Sequence, residues 1–306
     1  MAFTKRHRVL VATDGSPSAE AALSAAVKFP WGSASQARAV IGLTNWLRPD
    51  SQEAREVLER ELAAAAASAR RALCSRWQKA EVAIRDESPL DAIFGEADGF
   101  RATVIVLGWR GHGTFRRLLA GSVSRAVAAN AKCPVLVVRE APRAIRRFVV
   151  GYDGCVNAKR AIDLLCSFEA PRGGRVLVVN VVQPVSVPAS ASLIPAGTRA
   201  HIRQEVVALN EERARQGESD LNEAVKRLKR CGWSAKGELR LGAPLERLLG
   251  ATDDFRADVV ILGARAVSGV ERALLGSVAN GALNRSNVPV LLVRNLEGSV
   301  SCQRPR

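Results

Sequence analysis

The residues best placed to do chemistry are one aspartate and a set of glycines. Asp14 follows the apolar stretch Arg8–Thr13, and Gly108-Trp109-Arg110-Gly111 follows the stretch Thr103–Leu107; nine residues then separate Gly111 from Gly121-Ser122-Val123. Glycines let backbone amides approach an anion, and a helix N-terminus adds N–H groups and the positive end of a dipole. In that pattern Ser122 would cap a helix and donate to a phosphate, and Arg110 would neutralise phosphate charge. Asp14 is placed to accept from a ribose hydroxyl or to hold a metal ion. A plainer reading stands beside this one, with ordinary turn glycines and Ser122 as a simple N-cap. His112 reads as an exposed loop histidine, because no acidic partner lies at a recognisable spacing. No P-loop lysine, kinase loop, Ser/His/Asp order or paired-carboxylate motif is evident.

The chain repeats itself, and the repeat duplicates this pattern. Leu107–Arg139 aligns without a gap on Leu262–Arg294 at an offset of 155, and 13 of the 33 residues are identical. Val11-Ala12-Thr13-Asp14-Gly15 mirrors Val150-Gly151-Tyr152-Asp153-Gly154 at an offset of 139. The second copy therefore carries 16 extra residues, expected in Gln183–Thr198, whose Pro, Ser and Ala content reads as an excursion loop. The expected organisation is a first domain over 1–140, a linker over 141–146, a second domain over 147–295 and a tail over 296–306.

Strand and helix signals alternate in each copy. In the first, Arg8–Thr13, Ala37–Thr44, Glu81–Arg85, Thr103–Leu107 and Val135–Val138 read as strands. Ser16-Pro17 opens a helix to about Phe29. Asp50 or Ser51 caps a long helix through about Trp77, and Pro89–Gly99 and Ser122–Asn130 are two more. In the second copy the strands are Phe148–Tyr152, Arg175–Val181, Lys236–Leu241, Val259–Leu262 and Val290–Val293. Alternation of this kind demands an α/β fold with right-handed crossovers, here two tandem Rossmann-like domains, each a five-stranded parallel sheet flanked by helices. In such sheets ligands bind outside the carboxyl ends of the strands, where the strand order reverses. Trp77 and Trp233 read as packing residues, and Ala63–Ala67 as a smooth helix face against a neighbour.

The pattern Gly-x-x-Gly, nine residues, Gly-Ser resembles the ATP-binding signature of the universal stress protein family, matched in full by Gly108, Gly111, Gly121 and Ser122. Val11–Ser16, Ala257–Gly263 and Lys132–Val138 are similar to that family as well. The resemblance covers nearly the whole chain, once per copy, and implies adenine nucleotide alpha hydrolase-like domains that bind ATP with Mg²⁺. The implied ATP positions are Ala12, Asp14, Leu107, Gly108, Arg110, Gly111, Gly121, Ser122 and Val123, with Asp14 also the candidate metal ligand. In the second copy they are Gly151, Asp153, Gly263, Arg265, Gly276, Ser277 and Val278, but Ala266 replaces the middle glycine. The resemblance also implies that Val135–Val138 and Val290–Val293, otherwise bare edges, pair within the chain, and that chains form a homodimer. The function implied is that of an ATP-binding sensor or regulatory module in the stress response, with slow hydrolysis and an unidentified regulatory protein partner. Two alternatives remain: an ATP-hydrolysing or adenylating enzyme of the same fold, for which no general base can be named, and a structural module without nucleotide, which suits the second copy better.

Composition bounds these readings. The 306 residues are 47% hydrophobic and 25% charged, as globular proteins are, and the net charge is +15. That excess divides as +8 over residues 1–146 and +7 over 147–306, with aromatics at only 5%, so no basic arm of the kind that marks dedicated nucleic-acid binding is present. No apolar run approaches the ~20 residues that cross a bilayer, and the N-terminus reads as that of a cytoplasmic protein. Six scattered cysteines, without a Cys-x-x-Cys pair, read as reduced and mostly buried thiols, with Cys302 the most exposed.

Overall fold

The computed structural model describes residues 6–43, 51–109, 121–187, 195–264 and 275–294. The first half runs β1 (Arg8–Ala12), α1 (Pro17–Lys28), β2 (Gln36–Gly42), α2 (Gln52–Cys74), β3 (Glu81–Arg85), α3 (Pro89–Gly99), β4 (Val104–Gly108), α4 (Ser122–Asn130) and β5 (Val135–Val138). The second repeats it with β6 (Arg147–Gly151), α5 (Val156–Leu165), β7 (Arg175–Val182), α6 (Ala196–Arg230), β8 (Ser234–Leu241), α7 (Pro244–Asp254), β9 (Val259–Gly263), α8 (Ser277–Arg285) and β10 (Val290–Val293).

The two five-stranded halves join into one ten-stranded sheet of order β3-β2-β1-β4-β5-β10-β9-β6-β7-β8. Every pairing is parallel except the central one, where β5 and β10 run antiparallel with Leu136 opposite Leu291. The expected pairing of the two last strands is thus present. Their four residues each are wholly buried, so the edges that would have been bare form the middle of the molecule. In each half the strand order reverses beside the first strand, between β1 and β4 and between β6 and β9.

One core lies under α1, α2, α5 and α6, and the other under α3, α4, α7 and α8; both run through the junction of the halves. On the first face Phe29 meets Phe148 edge-on at 5.9 Å and Phe168 at 4.9 Å, and Trp31 meets Phe168 at 5.4 Å. His7 lies between Trp31 and Phe168, with Nε2 3.2 Å from the Ser167 hydroxyl. Edge-to-face pairs of this kind add to the area they bury, so the halves share a core rather than touch at a surface. Trp77 and Trp233 are packing residues as expected, 8% and 2% exposed. The Arg76 guanidinium follows α2 and donates to the carbonyls of Val27, Phe29 and Trp31, closing the C-terminal end of α1.

Three expectations need correction. The 16 extra residues are not all loop: α6 has 35 residues against 23 in α2, so much of the insertion lengthens a helix. Residues 199–216 are rich in Arg, Glu, Ala and Gln, good helix formers. Asn210 then pins the preceding segment, accepting from the Val185 N–H and donating to its carbonyl, each at 2.9 Å. Secondly, Cys166 and Cys231 are not free thiols but a disulfide, with Cα atoms 5.4 Å apart, because the C-terminal ends of α5 and α6 converge. Cys155 stays a buried thiol, as expected, while Cys74 and Cys133 are partly exposed; Cys302 lies outside the described residues. Thirdly, the Ala63–Ala67 face is packed only in part, since Ala65 lies against Gly15 while Ala63, Ala64 and Ala67 are exposed. Among the described residues no helix is long and apolar enough to cross a membrane.

Candidate functional site

The reversal point beside β1 gathers the loop after β1, the end of β4 and the start of α4. After Ala12 the buried Thr13 donates its N–H to the Val40 carbonyl at 3.0 Å, which extends the β1–β2 ladder by one step. Asp14 then turns outward into solvent, where its Oδ1 accepts from the Ser16 N–H at 3.0 Å. Gly15 carries the chain back with φ +74°, a conformation that L side chains rarely adopt. Ser16 caps α1, its hydroxyl accepting from the Ala19 N–H at 3.2 Å. One of the free N–H groups of that helix end is therefore already satisfied. Among the described residues no group of three or more His, Cys, Asp or Glu is gathered that would hold a metal ion, and Asp14 stands outside any such cluster.

The end of β4 shows why one signature glycine is there. A Cβ on Gly108 would lie 2.6 Å from the carbonyl carbon and oxygen of Ser18, so the missing side chain is the space that the first turn of α1 occupies. Leu107 points its side chain into the core, 3% exposed. The Ser124 hydroxyl donates to the Gly108 carbonyl at 2.6 Å and lies 3.3 Å from the Trp109 carbonyl, tying α4 to the strand end. The helix itself begins differently from expectation. Gly121, not Ser122, is the N-cap, at φ +88°, and among the described residues no side chain caps the helix. A Cβ on Gly121 would lie 3.1 Å from the Trp109 carbonyl oxygen, a tight contact, and the left-handed φ favours glycine. Ser122 is the first helical residue and is exposed, with Val123 half-buried behind it. Arg110, Gly111 and His112 lie outside the described residues.

The second half repeats the arrangement with changes. Gly151 ends β6, Asp153 accepts from the Cys155 N–H at 3.2 Å, and Gly154 takes φ +74°. Gly263 packs as Gly108 does, a Cβ there falling 2.6 Å from Asn157 and Ala158 backbone. The Asn157 amide donates to the Ala264 carbonyl at 2.8 Å, a tie that runs from α5 where the first half uses Ser124. Gly276 is the N-cap of α8, without a side-chain cap among the described residues; Ser277 is exposed and Val278 half-buried. Arg265 and Ala266 lie outside the described residues. Asp220 of α6 sets its carboxylate against Gly154, where α2 presents only Ala65 to Gly15. Burial first, then Asp220 and Glu223, pushes the Tyr152 phenol up to about 12. Burial and Asp153 push the Cys155 thiol up to about 11, so it is an inert thiol at neutral pH.

The sites thus bring together Ala12, Asp14, Leu107, Gly108, Gly121, Ser122 and Val123 in one half, and Gly151, Asp153, Gly263, Gly276, Ser277 and Val278 in the other. Sequence reasoning missed Ser124 and Asn157, the side chains that hold the strand ends to the helices. It also missed Asp220, which no motif marked.

The family model described as "Universal stress protein family" matches the chain twice, over residues 5–139 and 144–294. The chain is 28% identical over 199 residues to universal stress protein Rv2005c of Mycobacterium tuberculosis, an alignment covering 63% of this chain and 62% of that protein, under two thirds of its length. It is 36% identical over 150 residues to a universal stress protein of Thermus aquaticus, covering 49% of this chain and 98% of that one. The crystal structure of a universal stress protein from Archaeoglobus fulgidus superposes with a TM-score of 0.63 at 20% identity, covering 94% of this chain and 98% of that one. With two matches of the family model over nearly the whole length, and a fold shared end to end with a solved member, the chain belongs to the universal stress protein family as a tandem of two of its domains.

Proposed function

We propose that this universal stress protein binds ATP in its first domain and acts as a regulatory module rather than as an enzyme with rapid turnover. The observation that carries the reading is the start of α4 at the strand-order reversal: a left-handed Gly121 followed by a helix end that no side chain among the described residues caps. Helix N-termini of this kind bind phosphate through main-chain N–H groups and the dipole. Ser122 adds an exposed hydroxyl within the same turn, and Gly108 and Gly121 complete the glycine pattern that the family resemblance associates with ATP. Asp14, exposed at the end of β1, is the carboxylate assigned to a ribose hydroxyl. Mg²⁺ belongs to the proposal as a cation that would enter with the nucleotide and neutralise phosphate charge, with Asp14 the one carboxylate assigned to hold it.

A second reading fits the second domain. Ala266 stands for the middle glycine, and Asp220 adds a carboxylate beside Gly154 that repels an anion. Those two changes favour a half that has kept the fold and lost nucleotide.

Mass spectrometry of the denatured, freshly purified protein tests both. An adenine nucleotide at about one per chain is the expected result. Two per chain would overturn the second reading, and none, with no thermal shift on adding Mg-ATP, would overturn the first.

A further inference from the structure

Two arginines at equivalent strand ends hold helices of the opposite domain. Arg139, just past β5, donates from Nη2 to the carbonyls of Leu283 at 2.5 Å and Asn284 at 2.6 Å, in the last turn of α8. Arg294, just past β10, donates to the Ala129 carbonyl in the last turn of α4. The offset of 155 that relates Arg139 to Arg294 also relates Ala129 to Asn284, so the two contacts are the same contact made in both directions across the β5·β10 junction. The last turn of α4 has no basic residue of its own, so the cation that faces its carbonyls comes from the other domain. Around Arg139 the grip is doubled. Its guanidinium lies 4.8 Å over the Trp109 ring, and Arg125, 5.7 Å over the same ring, donates to the Asn284 side chain at 2.6 Å.

These are the two helices whose N-termini, without a side-chain cap among the described residues, form the candidate anion sites. Each is nine residues long, a rod of about 13 Å at 1.5 Å per residue. A cation at a helix C-terminus acts electrostatically only on the last turn. What reaches the other end is position, because a short rigid helix pivots when its far end is released. We propose that Arg139 and Arg294 are positioning residues, each fixing from one domain the helix whose N-terminus opens the glycine-lined site of the other. The proposal rests on the nucleotide reading above and adds that affinity in the first domain depends on a residue of the second. Arg294 retains Nε and the second terminal nitrogen buried, with no hydrogen-bond partner among the described residues. Its one hydrogen bond among the described residues is therefore the donation to α4.

The test uses the full chain carrying Gly276→Asp, so that titration with Mg-ATP reports the first domain alone. Adding Arg294→Met is expected to weaken that affinity about tenfold, within the usual range of coupling between sites, and Arg294→Lys to restore it to within about threefold because a cation again reaches the carbonyl. Amide hydrogen exchange without nucleotide is the second arm. Exchange should quicken over 122–131 with Arg294→Met and over 277–286 with Arg139→Met, each in the domain that does not carry the substitution. An unchanged affinity in a chain that still binds ATP, or exchange that quickens everywhere or nowhere, overturns the coupling. If the parent chain binds no nucleotide, the nucleotide reading fails instead, and the exchange arm alone decides whether the two arginines position the helices.

Discussion

Gly121→Asp is expected to abolish nucleotide binding, lowering affinity for Mg-ATP at least a hundredfold by calorimetric titration while the chain stays folded. Three effects act together. The residue takes φ +88°, which an aspartate adopts at a cost of about 1 kcal/mol. Its Cβ would press on the Trp109 carbonyl oxygen at 3.1 Å, so the neighbour must give by a few tenths of an ångström. The carboxylate would then occupy the mouth of the helix, satisfying with its own oxygens the N–H groups that a phosphate would use, and placing a like charge beside it. The first two effects are small. The third decides the outcome, and retention of near-normal affinity would mean that phosphate is held elsewhere.

Gly108→Ala is expected to act on stability rather than on ligand. The new methyl would sit 2.6 Å from the Ser18 carbonyl group, and the atoms it meets are backbone, which cannot swing aside. Either α1 shifts off β4 or the strand end bends, and overpacking of this kind costs about 3 kcal/mol. Chemical denaturation should show a lower midpoint with an unchanged slope. Gly263→Ala, facing Asn157 and Ala158 in the same way, should cost about as much. A loss below about 0.5 kcal/mol in both variants would show that α1 and α5 do not sit as described.

These two glycines show how far the sequence could be read. The pattern of apolar runs and helix signals placed all five strands of each half, since parallel strands buried on both faces are continuous apolar segments such as Val104–Leu107 and Val259–Leu262. The glycine spacing is legible for a related reason, because it reports where a backbone is approached closely. It does not report what approaches: at Gly108 and Gly263 that is a helix of the same domain. The cap on α4 was misplaced by one residue, because a Gly-Ser step offers two capping residues and only the left-handed turn at Gly121 distinguishes them. The disulfide was illegible, since Cys166 and Cys231 are 65 residues apart and meet only once α5 and α6 have packed side by side. The helical start of α6 was hidden behind the Pro-Ser-Ala composition that precedes it. Arg139 and Arg294 were visible as matching residues of the repeat, but their partners lie across a junction that neither copy defines by itself.

The most direct test of the account is an amide NMR titration of the full chain with Mg-ATP. If main-chain nitrogens at the start of α4 grip the phosphates, the ¹⁵N–¹H resonances of Ser122, Val123 and Ser124 should move in a saturable way, and the same resonances should stay still when adenosine is added instead. Saturable shifts confined to other residues, or identical responses of these three amides to adenosine and ATP, would contradict it.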